Sequence, residues 1–63
     1  MTEFIAKNSR QLSLYCKIFL SERIEYSIEH FEIKPGKVAF RLITDVTEEK
    51  AGQLQRMFNN LYL

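Results

Sequence analysis

The sequence predicts a single α+β domain over residues 1–63, with the element order β-α-β-β-α. Three patterns support this prediction: a helical apolar repeat after Asn8, alternating apolar and polar residues on both sides of residues 35–36, and a second helical repeat after Thr47. Two amphipathic helices and three strands are typical of a two-layer domain in which both helices cover one face of the sheet.

A first strand is predicted over residues 3–7, which are rich in apolar side chains; a frayed chain terminus is the alternative. Asn8 and Gln11 then have the spacing of a capping box at a helix N-terminus. A helix is predicted over residues 9–22, because apolar side chains recur there with helical spacing. Its predicted core stripe is Leu12, Tyr15, Cys16, Phe19 and Leu20.

A β-hairpin is predicted to turn at the Pro-Gly pair of residues 35–36. Proline presets the backbone for the second position of a type II turn, and glycine accepts the positive φ of the third position. A two-residue loop here sets Ile33 opposite Val38, and it sets Phe31 opposite Phe40.

The apolar phase of the first hairpin strand changes near its middle. Ile24, Tyr26 and Ile28 would face away from the core if the register continued without interruption. One extra residue near Glu29 and His30 returns them to the core side, so a β-bulge is predicted there. The alternative is a hairpin that twists far enough for its two ends to bury different faces.

The second helix is predicted to begin after Thr47, which is a good N-cap residue. Glu48 and Glu49 in its first turn favour the positive end of the helix dipole. Gly52 lowers helix stability by up to about 1 kcal/mol relative to alanine, and nothing in the sequence explains it. The apolar stripe of this helix is Ala51, Leu54, Met57, Phe58, Leu61 and Tyr62.

Connection rules place the third strand in the middle of a three-stranded sheet, which gives the order 1-3-2. This element order resembles a ferredoxin-like fold that lacks its last strand. The resemblance covers the whole chain, includes no sequence motif and implies no function.

In the complete fold the last strand pairs with the first, so the first strand is predicted to be an open sheet edge. Its central residues Phe4, Ile5 and Ala6 are therefore predicted to form an interface, either with a second copy or with a partner peptide. The alternative is a short edge that the charges of Glu3 and Lys7 protect.

A second interface is predicted on the first helix. Leu14 and Ile18 are neighbours at i, i+4 and lie around the helix from the predicted core stripe. They are either an exposed apolar pair that marks an interface or the margin of a wide core contact.

The composition excludes several classes of protein and site. One cysteine cannot form an internal disulfide, and one cysteine together with one histidine cannot complete a zinc site. No apolar run approaches the roughly 18 residues of a membrane span, and the first residues lack the features of a secretory signal. The sequence therefore predicts a cytoplasmic protein with no metal, no other cofactor and no membrane partner.

The length predicts self-association. A chain of 63 residues is near the lower limit for a self-sufficient core. Since neither a disulfide nor a zinc ion is available, oligomerisation is the remaining common source of stability, and a homodimer is predicted.

No two side chains form a recognisable catalytic pair, so an enzyme is not expected. Cys16 lies on the apolar stripe and is interpreted as a small hydrophobic residue. His30 is interpreted as a surface residue, although a bulge beside it could direct it to a functional site.

The leading hypothesis is a non-enzymatic interaction or regulatory protein that binds another macromolecule. Small single-domain inhibitors encoded by phages and mobile elements have this profile. The alternative is a nucleic-acid-binding module that uses the basic side chains of Lys34, Lys37 and Arg41 around the hairpin tip. Small-molecule sensing at a dimer interface is a third hypothesis, which the fold resemblance permits.

Overall fold

The computed structural model describes residues 1–62 and confirms the predicted α+β element order. The sheet has the order β1-β3-β2, and both strand pairs are antiparallel. Residues of both helices share one core with Phe4, Ala6 and Leu42, so the helices cover a single face of the sheet. The elements are β1 Thr2–Ala6, α1 Ser9–Ser21, β2 Tyr26–Lys34, β3 Lys37–Thr44 and α2 Glu48–Tyr62.

Side-chain caps determine where α1 begins. The Asn8 carboxamide oxygen accepts a hydrogen bond from the Gln11 backbone N–H at 2.9 Å. The Gln11 side chain in turn accepts one from the Lys7 N–H at 2.8 Å. The first bond satisfies one of the N–H groups that a helix leaves without internal partners, and the second fixes the residue that precedes the cap.

The end of α1 is a Schellman motif with an unusual residue. The Ile24 N–H donates to Phe19 O at 2.9 Å, and the Arg23 N–H donates to Leu20 O at 3.2 Å. Arg23 has φ +57, the left-handed conformation that glycine usually supplies at this position. The chain therefore turns from α1 toward β2 at a strained non-glycine residue.

The core is built largely from stacked aromatic rings. Phe4 of β1 lies 5.1 Å from Phe19 and 5.5 Å from Tyr15, measured between ring centroids. Phe58 of α2 stacks on Tyr15 with the centroids 4.0 Å apart and the planes 8° from parallel. Tyr15 thus joins β1, α1 and α2, and fully buried Leu54 completes the contact between the helices.

The buried face of α1 is rotated from the predicted one. Leu20 is 77% exposed and does not belong to the core, whereas Ile18 is only 3% exposed and does. Leu14 is half-buried against the same core. Of the two alternatives for Leu14 and Ile18, the wide core contact is the one present, because α2 packs beside α1 and extends the core contact around the helix.

The predicted hairpin register is also wrong. Phe31 lies opposite Ala39 rather than Phe40, and Glu32 lies opposite Val38. The irregularity falls between Glu32 and Lys34, next to the turn. Gly36 nevertheless has the expected positive φ, at +80.

No bulge lies at the predicted position in the middle of β2. Glu29 pairs with Arg41 and His30 with Phe40 in uninterrupted register. Since the extra residue is inserted beside the turn, the rest of β2 already has Ile28 opposite the buried Leu42. The physical reason for the bulge is the one predicted. Because it lies next to the turn, however, Phe31 is on the other face of the sheet from the one predicted.

Candidate interaction site

The sheet order makes β1 an edge strand. It pairs with β3 along its length, and no strand within residues 1–62 lies on its other side. Peptide groups that point to that side are available to a further strand. Hydrogen bonds hold the start of β1 in place: Thr2 Oγ1 donates to Val46 O at 3.0 Å, and Thr44 Oγ1 donates to Thr2 O at 3.4 Å.

The predicted interface residues of β1 have two different environments. Phe4 and Ala6 are buried beneath the helices, so only their peptide groups are available to a partner. Ile5 points to the opposite face and is 43% exposed. Glu3 shares that face, because side chains alternate along a strand.

The opposite sheet face carries no helix. We call it the outer face and define it by the residues that the register places there. Ile5, Phe31 and Ile43 are partly or largely accessible on it, whereas Ala39 is fully buried among its neighbours. The outer face consists of Glu3, Ile5, Ser27, Glu29, Phe31, Ala39, Arg41 and Ile43.

Arg41 occupies the centre of the outer face and contacts both neighbouring strands. Its Nη1 donates to Glu29 Oε1 of β2 at 3.2 Å. Its Nε lies 3.1 Å from Glu3 Oε1 of β1 in an ion pair whose geometry does not make a hydrogen bond. The guanidinium carbon also lies 4.8 Å from the centroid of the Phe31 ring. These contacts connect all three strands and neutralise the arginine.

Arg41 is consequently not part of a basic group with Lys34 and Lys37. It is four residues along β3 from Lys37, which corresponds to roughly 13 Å at the usual strand rise. Two carboxylates also balance its charge. The structure therefore separates the predicted nucleic-acid residues into two places.

A different basic residue joins the two hairpin lysines. Lys34 lies opposite Lys37 at the turn, and Lys7 lines the same surface concavity together with Ile33 and Gln11. Among residues 1–62, no carboxylate lies within ion-pair distance of these lysines. Sequence reasoning missed Lys7; its signal was the antiparallel pairing that directs the end of β1 toward the hairpin tip.

The remaining polar candidates are isolated. His30 is exposed on β2, and Cys16 is a half-buried free thiol whose contact with Tyr26 raises the pKa of that tyrosine. No group of three metal-binding side chains occurs in the described part of the chain. Neither described helix is long and apolar enough to cross a membrane.

Comparison with protein-family models gives no match for this chain, and comparisons with curated proteins and with solved structures also give none.

Proposed function

We propose that this chain is a non-enzymatic interaction protein that forms a homodimer through the β1 edge and binds another protein through the outer face. One observation carries the proposal: the unpaired side of β1 is continuous with a sheet face that no helix covers. Backbone groups of an edge strand supply affinity for an added strand, and neighbouring side chains supply specificity.

A regulatory role in the cytoplasm fits the size and chemistry of the chain. It has 63 residues and one cysteine, and the described residues hold no metal-binding cluster. Small single-domain inhibitors encoded by phages and mobile elements are of similar size. The function we infer is therefore inhibition or regulation by occupancy of a partner's surface.

The test compares two exposed apolar residues in different places. Ile5 of the outer face is 43% exposed, and Val38 near the hairpin tip is 41% exposed. Tagged Ile5→Glu and Val38→Glu chains would be used for cross-linking capture from extracts of the source organism, with circular dichroism as the control for folding. We expect Ile5→Glu to lose the proteins that the unmodified chain captures and Val38→Glu to retain them. Equal capture by both variants would contradict the proposal.

Nucleic-acid binding is a second candidate, which the grouping of Lys7, Lys34 and Lys37 favours. Fluorescence anisotropy with labelled single-stranded and duplex oligonucleotides would test it. Binding through the three lysines would weaken steeply with added salt, and Lys34→Glu would weaken it further. Lys17→Glu on α1 is the control, because it changes the net charge equally at another site.

A further inference from the structure

We propose that a second copy of this chain pairs with β1 in one antiparallel register, centred on Ile5. The proposal rests on the homodimer of the preceding section and specifies which residues meet across it. In this register Ile5 lies opposite the Ile5 of the second copy, and Glu3 lies opposite its Lys7.

The alternation of faces restricts the possible registers. Two copies related by a twofold axis keep their helices on one side of a joint sheet only if residues of the same face lie opposite each other. Phe4 and Ala6 face the helices, whereas Glu3 and Ile5 face outward. The symmetric pairings that remain are centred on Glu3, Phe4, Ile5 or Ala6.

Charge complementarity selects one of these registers. Centring on Glu3 opposes two carboxylates, which is unfavourable. Centring on Phe4 sets Glu3 opposite Ile5, and centring on Ala6 sets Lys7 opposite Ile5. Only the register centred on Ile5 opposes two apolar side chains and forms two ion pairs of opposite charge.

The same register suits the inner face. It sets Phe4 of each copy opposite Ala6 of the other, so that a large side chain meets a small one beneath the helices. Phe4 is already fixed by the rings of Tyr15 and Phe19. The pairing therefore requires no change in the core.

The charged residues are available for this role. Lys7 has no carboxylate within ion-pair distance among residues 1–62. The Glu3 side chain is 47% exposed, although its Oε1 pairs with Arg41 Nε at 3.1 Å. The resulting assembly is a six-stranded antiparallel sheet whose two outer faces form one continuous surface.

Disulfide trapping in a Cys16→Ser background tests the register. Directly opposed residues of antiparallel strands have Cα atoms about 4.5–5.5 Å apart, within the reach of a disulfide. We expect Ile5→Cys to link to itself under mild oxidation. We expect Glu3→Cys and Lys7→Cys to link poorly alone and efficiently when mixed, since like positions are offset by roughly 13 Å. Val38→Cys is the control, because it measures how much disulfide forms through random collision of two chains.

The possible outcomes distinguish a wrong register from the absence of a homodimer. Self-linking of Glu3→Cys above the Val38→Cys control, in a chain that sediments as a dimer, would overturn the register and leave the dimer intact. A strict monomer at tens of micromolar would overturn the register and the homodimer together. Partner binding is tested separately by capture with a Phe31→Glu chain, whose changed residue lies on the outer face away from β1. Circular dichroism verifies that each variant is folded.

Discussion

The two edges of this sheet differ in how well they are protected from further pairing. β2 is nine residues long, has an irregularity beside its end and carries the charged side chains Glu29, Glu32 and Lys34. β1 is five residues long, pairs with β3 in unbroken register and has Glu3 as its one charged residue. Bulges, charges and short length are all common protections of sheet edges; β2 has an irregularity and three charges, whereas β1 has its short length and one charge. The difference indicates that a further strand should add at β1.

The largest expected effect concerns the packing beneath each edge. Phe4→Ala removes a buried ring at the centre of the aromatic core and should lower the free energy of unfolding by about 3–5 kcal/mol. Ile28→Ala on β2 should cost much less, because that side chain is 45% exposed. Urea denaturation measures both changes. Equal losses would contradict the difference in burial between Phe4 of β1 and Ile28 of β2.

The second effect concerns charge at the β1 edge. Lys7→Glu should weaken the dimer by about tenfold, because it converts two attractive cross-strand pairs into repulsive ones. Glu3→Lys combined with Lys7→Glu should recover most of that affinity. Lys34→Glu at the end of β2 is the control and should leave the dimer unchanged. Sedimentation equilibrium measures all of these variants, and failure of the double variant to recover affinity would contradict the ion pairs.

A smaller effect concerns the connection into β2. Arg23→Gly should raise the free energy of unfolding by about 1 kcal/mol, because glycine adopts the left-handed conformation without the steric cost of a side chain. Arg23→Ala is the matched control, since it removes the charge and keeps the strain. If both variants gain equal stability, the charge rather than the backbone conformation is responsible.

The smallest effect concerns the pKa values of the three tyrosines. Burial raises the pKa of Tyr15 above its ordinary 10.0, and the Cys16 side chain raises that of Tyr26. Hydrogen bonds from Gln11 and Asn8 lower the pKa of Tyr62. Ultraviolet titration of the three Tyr→Phe variants should therefore show Tyr62 ionising first.

The sign of the pH dependence follows from these shifts. A raised pKa means that the folded chain holds the proton more tightly than the unfolded chain. The stabilisation from Tyr15 and Tyr26 is therefore complete below pH 10 and is lost as the pH rises through their folded pKa values. Urea midpoints that rise between pH 10 and 11 would contradict this direction.

Local features of the sequence predicted the elements well. The Asn8 cap, the Thr47 cap, whose Oγ1 accepts from the Lys50 N–H at 3.2 Å, and the positive φ of Gly36 all depend on neighbouring residues. The element order and the sheet order followed from these elements and from connection rules. The edge position of β1 could thus be predicted from sequence.

Features that depend on distant contacts could not be predicted in this way. Leu20 and Ile18 are similar in sequence context, and only the position of α2 determines which of them is buried. The grouping of Lys7 with the hairpin lysines depends on pairing between distant strands. Gly52 still has no structural reason, since an added Cβ would meet nothing closer than Arg56 Nη1 at 3.6 Å.

The irregularity at the end of β2 determines which side chains of this strand the sheet exposes. Because one extra residue lies between Glu32 and Lys34, Phe31 lies on the outer face, where Arg41 rests over its ring. If the same chain paired without this irregularity, Ile33 would lie opposite Val38, and every residue upstream in β2 would face the other side of the sheet. Glu29 and Phe31, which now lie on the outer face, would then lie beneath the helices. Deletion of Ile33 itself keeps Glu32 opposite Val38 and Lys34 opposite Lys37, so it should remove the irregularity and retain the outer face.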